Sequence, residues 1–402
     1  MLVSVYIPFA VIKQRHPLPG RYILLLALLA VEVITGWLLN VVPSQSIFVG
    51  IRVYFKYIPL FLLPFAYRFS EVEIKKQLFL IGAFAILQLP ISVYQRLVQF
   101  KGFMSGDVVS GTLTISSFLS IFLVSVISVL YGLYLKKQLN LLSFLVMTSI
   151  CFLPTTINET KGTLFLLPLG LLVVNFVSGV KTAAVKRFLL LPCLIVIMLG
   201  LFIPVYDHFI RSRWGYGILD FFTMEGRVEH YFFRGASGQL SSEKLGRIDS
   251  MVLAYNELSK DPFQLLFGLG AGNVTVPAFA DFAGENVSFL SAGARMTTFT
   301  NCFWEIGLVG FGLYLAMMTT VLRDTRRAGQ GQGLASGLAA GWCGVVAVMM
   351  LSLVYKNTLH HTFTLNMFWY LSGLAVSGAD HPKTPSMGSR YERYRVSTTP
   401  SL

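Results

Sequence analysis

The chain alternates long apolar runs with short polar connections. Runs long enough to span roughly 30 Å of hydrocarbon fall at 22–41, 47–67, 78–97, 114–135, 140–157, 162–178, 188–205, 298–322, 333–354 and 362–377. Met1–Ile12 is an eleventh, shortened candidate. At 1.5 Å per residue it reaches only about 18 Å, so it reads as a half-helix or as the remainder of a span that begins upstream. Without a basic n-region or a small-residue cleavage site it does not read as a signal peptide. The pattern predicts an all-α polytopic membrane protein of about 10–11 transmembrane helices. One connection differs from the rest: Tyr206 to Thr297 is long, of mixed charge, and contains aromatics, glycines and many arginines. Within it, RIDSMVLAYNELSKDP has apolar residues at helical spacing over Met251–Leu258 and Pro262 beyond the end, which predicts a small helical cap on that face. The chain thus divides into an N-terminal transmembrane bundle (1–205), the large helical loop (206–297), C-terminal transmembrane helices (298–377) and a basic cytoplasmic tail (378–402).

Charge orients these runs. Lys13/Arg15/Arg21, Arg68/Lys75/Lys76, Lys136/Lys137, Lys181/Lys186/Arg187, Arg323/Arg326/Arg327 and the Lys383–Arg395 tail fall on alternate connections. By the positive-inside rule their face is cytoplasmic and the large loop lies outside. Most of the formal charge of +13 is therefore topological, and a nucleic-acid partner is not indicated. The composition agrees with this class: 13% of residues are charged and the mean hydropathy is +0.66, against about 25% charged in soluble domains. The cysteines, Cys151, Cys193, Cys302 and Cys343, lie in or beside apolar runs, which suits packing and not a disulfide framework or a zinc site. No metal site is expected, since His208 and His230 stand alone and no carboxylate cluster completes a ligand set.

Against this apolar background the ionisable residues stand out. Arg52 and Lys56 sit inside the 47–67 run, four residues apart and so on one helix face. Like charges at that spacing repel, and ionisable groups at membrane depth mark functional sites by default. An anion such as a phosphate or carboxylate between them accounts for the pair. Snorkelling to the headgroups is the alternative, and it suits Arg52, near one end, better than Lys56. Further polar residues fall on the outer side: Gln95-Arg96, Lys101 and Asp107 with the small-residue stretch SGDVVSGTLTIS, which is expected to dip back as irregular backbone; Asn158, Glu159 and Lys161 in the turn PTTINETKGT; and Lys356, His360 and His361. Their convergence predicts a shared site. The FGLGAG run at 267–272 lacks a flanking βαβ pattern, so it is not a nucleotide loop; its glycines are expected to bring backbone against a glycan, a lipid or a helix.

Several of these segments together resemble a known family. Gly246-Arg247, Asn256-Glu257-Leu258, Asp261-Pro262, Leu266-Phe267-Gly268-Leu269-Gly270, Thr300-Asn301 and Glu305-Ile306-Gly307-Leu308-Val309-Gly310 are similar to the signature region of the bacterial O-antigen polymerase and O-antigen ligase superfamily. Asp107 with Gly111-Thr112, and Asn158-Glu159-Thr160-Lys161-Gly162, are similar to its Asp-Gly-Thr stretch and polar turn. Thr300 stands where the family has the His of a His-Asn pair, which puts a histidine base in doubt there and weighs against a ligase. The resemblance implies a GT-C-like membrane glycosyltransferase with one large periplasmic loop, multi-pass in the bacterial inner membrane. Its implied activity is polysaccharide polymerisation, joining repeat units carried on undecaprenyl pyrophosphate without nucleotide sugar, cofactor or metal. The implied partners are the lipid-linked oligosaccharide, membrane lipid and a chain-length regulator or polysaccharide export proteins.

That chemistry assigns expected roles. Negative charge builds on the leaving phosphate, and fixed cations stabilise it. Arg211 and Arg247 are the catalytic candidates of this kind, and Arg52, Lys56, Arg213 and Lys161 the binding ones. Asn158, Gly268, Gly270, Asn301 and His360 complete the expected substrate contacts. Arg227 and Arg234 lie in a stretch with Tyr231, Phe232 and Phe233, aromatics suited to sugar stacking or to the cap's own core. The acceptor hydroxyl must lose a proton, for which Glu159 is the first candidate base, followed by Glu305, Asp249 and His360. Competing classes are an anion or lipid-linked glycan transporter and a non-catalytic assembly protein.

Overall fold

The computed structural model describes residues 19–67, 69–102, 106–177, 195–198, 200, 202–204, 207–208, 217, 220, 223–226, 246–277, 279–287 and 297–377. Among the described residues the secondary structure is all helical: α1 (Gly20–Leu39), α2 (Ser44–Phe55), α3 (Ile58–Ala66), α4 (Glu71–Tyr94), α5 (Ser116–Leu135), α6 (Leu141–Ile157), α7 (Thr163–Val177), α8 (Arg247–Leu258), α9 (Pro262–Phe267), α10 (Thr298–Ala328), α11 (Leu334–Tyr355) and α12 (Thr362–Ser377). Five of these, α1, α4, α5, α10 and α11, are long and apolar enough to cross a membrane alone. The chain is a multi-pass helical membrane protein.

Of the expected about 10–11 spans, the described residues hold five helices that qualify alone, or six if a bent pair counts as one span. The 47–67 run is not one helix: α2 and α3 meet at a 45° bend and can at most form one broken span. The break falls at Lys56-Tyr57, just before Pro59 in the first turn of α3. The runs at 140–157, 162–178 and 362–377 fold into helices of 17, 15 and 16 residues. At 1.5 Å per residue the described part of each spans about 22–26 Å. The 188–205 run lies mostly outside the described residues, as do Met1–Ile12, the basic tail and most of 206–245.

Helix starts follow local chemistry. Ser70 and Glu73 close a capping box on α4, Asn140 accepts the Ser143 N–H at the start of α6, and Asp261 caps α9 ahead of Pro262. Thr297 and Thr300 close a second capping box on α10. Thr300 therefore has a backbone role: its hydroxyl accepts the Thr297 N–H at 3.1 Å.

Packing centres on α5, whose apolar window is 94% buried inside the bundle. Its Gly132 lies so close to the backbone of Gly337 and Gly341 on α11 that no β-carbon fits, the small-residue contact that brings membrane helices together. Opposite ends of the bundle are pinned differently. At the inner end Arg21 and Tyr22 both reach Asp324 at 2.7 Å, and Lys136 donates to the Gly331 carbonyl. The outer end gathers the ends of α4, α6 and α11 with the starts of α5, α7, α10 and α12, and the site is there.

Candidate functional site

A cleft of about 440 Å³ opens at the outer end, lined by Arg52 and Lys56 from α2 and its C-cap, by His360 and Thr362, and by the apolar wall Phe48, Val53, Val276, Phe279 and Phe282. Both cations lie at the C-terminal end of α2, where the last carbonyls favour positive charge. Arg52 is exposed and has no ion-pair partner among the described residues. Lys56 is half-buried, and its Nζ donates to the Leu359 carbonyl at 3.3 Å and the Thr362 hydroxyl at 3.4 Å. Those two residues flank His360 and His361, so Lys56 ties the α11–α12 loop to the broken span. Three of the sequence candidates, Arg52, Lys56 and His360, thereby meet in one concavity. Two adjacent cations in a half-apolar cleft can hold a polyanionic head group.

His361 faces the other way. Its ring stacks on Phe118 of α5, centroids 3.9 Å apart, and Nδ1 accepts from the Thr364 N–H at 3.3 Å, which makes the imidazole a cap on the first turn of α12. Burial, with Lys56 adding to it, pushes its pKa down to about 4. His361 is therefore a neutral structural group at ordinary pH.

The second polar group is a buried scaffold. Glu159, held at φ +59°, pairs with Arg96 at 2.7 Å, and both side chains are almost wholly buried. Its other oxygen accepts the Gly106 N–H at 2.7 Å. Gln95 accepts the N–H groups of Ser110 and Gly111, and Gln88 that of Thr112. The 106–112 stretch thus dips against α4 with its irregular backbone satisfied by side chains, as membrane depth demands. Asn158 caps α6 and donates to the Ser116 carbonyl and the Ser120 hydroxyl. Glu159 is here the counter-ion of Arg96 and a clamp on Gly106, not a carboxylate turned toward the cleft. Lys161 lies half-buried in the turn that follows.

Arg247 opens α8 and donates to the Tyr355 carbonyl at 3.0 Å, with its guanidinium 4.9 Å from the Tyr355 ring centroid. Beside it, burial and the Arg247 charge push the pKa of Lys356 down, and Asp107 partly offsets this. Arg247 does not line the cleft. Arg211, Arg213, Arg227 and Arg234, with Tyr231, Phe232 and Phe233, lie outside the described residues.

The glycine turn is a wedge. Gly268 (φ +69°) leaves no room for a β-carbon against the backbone of Glu305 and Gly307, and Gly307 (φ +57°) kinks α10 to receive it. Gly270 packs on Val42 and Gly36, so these glycines contact helix backbone and not the cleft. The Glu305 carboxylate accepts the N–H groups of Val274 and Thr275, holding the next stretch of loop. Asn301 is buried in the first turn of α10, with no partner for its amide among the described residues. Asp249 sits in the first turn of α8.

Sequence reasoning missed Glu32. It lies in α1, 3% exposed, with neither carboxylate oxygen hydrogen-bonded and one of them against Gly310. A lone acid inside the 22–41 run was the available signal. Among the described residues no three His, Cys, Asp or Glu side chains are grouped as metal ligands. Neither a family model nor a curated protein matches this chain.

Proposed function

We propose that the protein is a membrane glycosyltransferase of the polysaccharide polymerase type, moving glycan from undecaprenyl pyrophosphate to a lipid-linked repeat unit at the outer face of a bacterial inner membrane. The observation that carries this reading is the meeting of Arg52, Lys56 and His360, drawn from two distant segments, in one cleft at the outer end. In the reaction the acceptor hydroxyl oxygen bonds to the anomeric carbon as the bond from that carbon to the pyrophosphate oxygen breaks. The pyrophosphate leaves with the electron pair, and Arg52 and Lys56 balance the charge that gathers on it. The hydroxyl proton passes to His360, since an imidazole is the side chain suited to accept a proton near neutral pH. Glu159, occupied by Arg96 and Gly106, gives up the base role it was first assigned. Arg247, at the start of α8, donates to the Tyr355 carbonyl at the end of α11 and so supports the α11–α12 loop.

The test is the purified protein in lipid nanodiscs with undecaprenyl-pyrophosphate oligosaccharide. A ladder of longer lipid-linked glycans, lost in Arg52→Ala and His360→Ala, is the expected result. No ladder with the host's own repeat unit, while the lipid still binds, overturns it. One observation favours a second reading, an anion or lipid-linked glycan transporter: broken spans with charge at the break are common in carriers, and α2 breaks at Lys56. Uptake of labelled oligosaccharide lipid into proteoliposomes without chain growth would select it.

A further inference from the structure

The outer wall of the cleft is a strap, residues 279–287 with Val276 before it, that lies along α2. Phe282 receives a hydrogen bond on its carbonyl from Ser46 of α2 at 3.4 Å, and Asn273 accepts the Glu285 N–H, which ties the strap to α2 and to the preceding turn. Yet two of the apolar side chains that line the cleft are left largely open: Phe279 is 71% exposed and Val276 61%. On α2 beside them, Phe48 is 65% and Ile51 44% exposed.

Depth along α2 says what covers these side chains. The broken span α2–α3 begins at Ser44, and Phe48 and Arg52 lie about 6 and 12 Å below that start. Because the strap shares the cleft with both residues, it sits level with the outer end of α2, and its exposed apolar residues continue the exposed apolar surface that Phe48 and Ile51 give α2. Asp281 and Glu285, both exposed, provide the polar side of the same strap. Aromatic residues next to a polar edge are the usual furniture of the membrane–water interface.

We propose that Val276, Pro277 and residues 279–282 form an interfacial membrane anchor, with Phe279 and Val276 among the outer-leaflet lipids and Asp281 in water, so that the cleft between the strap and α2 opens at the leaflet boundary. This holds whatever reaction the cleft performs.

The experiment is site-directed spin labelling in lipid vesicles, with the native cysteines replaced by alanine and single cysteines introduced as Phe279→Cys, Asp281→Cys and Phe48→Cys. Relative collision with oxygen, which concentrates in lipid, and with a water-soluble nickel chelate reports depth. Position 279 should match position 48, exposed on the broken span, and favour oxygen several-fold over position 281. Position 279 as accessible to nickel as 281 overturns the proposal, and shielding from both reagents overturns it in favour of a protein partner on the strap. Should the cysteine variants misfold, the unsubstituted protein with a photoactivatable phospholipid decides: adducts on the 276–282 peptide support the anchor, and adducts confined to α2 refute it.

Discussion

Glu159→Ala is the sharpest test of how the outer scaffold is held. The Arg96–Glu159 pair spans 2.7 Å, with side-chain exposures of 2% and 4%. Removing the carboxylate leaves a guanidinium buried beside an alanine, which costs about 3–5 kcal/mol in comparable buried pairs. The Gly106 N–H, donating to the same carboxylate at 2.7 Å, loses its acceptor for about 1–3 kcal/mol more. The two losses overlap, so an overall destabilisation of about 4–6 kcal/mol is expected. Arg96→Met/Glu159→Leu removes both charges and is expected to recover more than half of that, because no unpaired charge remains. Thermal unfolding of the protein in nanodiscs, followed by intrinsic fluorescence, should give Glu159→Ala the lowest midpoint and the double variant an intermediate one. The cycle of four proteins isolates the coupling. A Glu159→Ala protein that unfolds with the wild type but no longer elongates glycan would refute the scaffold assignment and return Glu159 to the reaction.

The other expectations are briefer. Lys56→Met should weaken binding of inorganic pyrophosphate to the purified protein by about tenfold or more, the equivalent of one charge-assisted contact; unchanged binding would remove Lys56 from the site. Gly307→Ala combines a glycine-only backbone conformation with a β-carbon driven into Leu266, so a loss of about 2–6 kcal/mol and a low folded yield are expected in a fluorescence-detected size-exclusion assay. His361 has a pH signature. The unfolded chain takes up its proton near 6.5 and the folded protein only near 4, so the unfolded state binds more protons between those values. Stability should therefore fall as pH drops from about 6.5 to 4 and be independent of this group above that range. His361 is half-buried, so the loss is about 1–2 kcal/mol after screening, and His361→Asn, which keeps a cap acceptor, should abolish that slope.

The sequence by itself determined the helical membrane class, because apolar runs interrupted by basic clusters report on the solvent a segment needs, and that requirement is local. It also determined that Arg52 and Lys56 share a face, since four residues make about one helical turn, and it marked the 106–112 stretch as irregular backbone. A hydropathy window does not sense where a helix breaks, and Lys56-Tyr57 splits one run into two helices bent by 45°. Only the tertiary structure decided which polar residues meet. Lys56 finds Thr362 across 306 positions, whereas Glu159 finds Arg96 and leaves the cleft. Gly268 was legible as a tight turn, yet its neighbour proved to be the kink of α10. Thr300 carried no cap signal in the sequence reading, and its hydroxyl turned out to close a helix cap. Each of these outcomes depends on long-range packing, where a side chain's partner is set by which helices touch and at what depth, and no short-range periodicity carries that information.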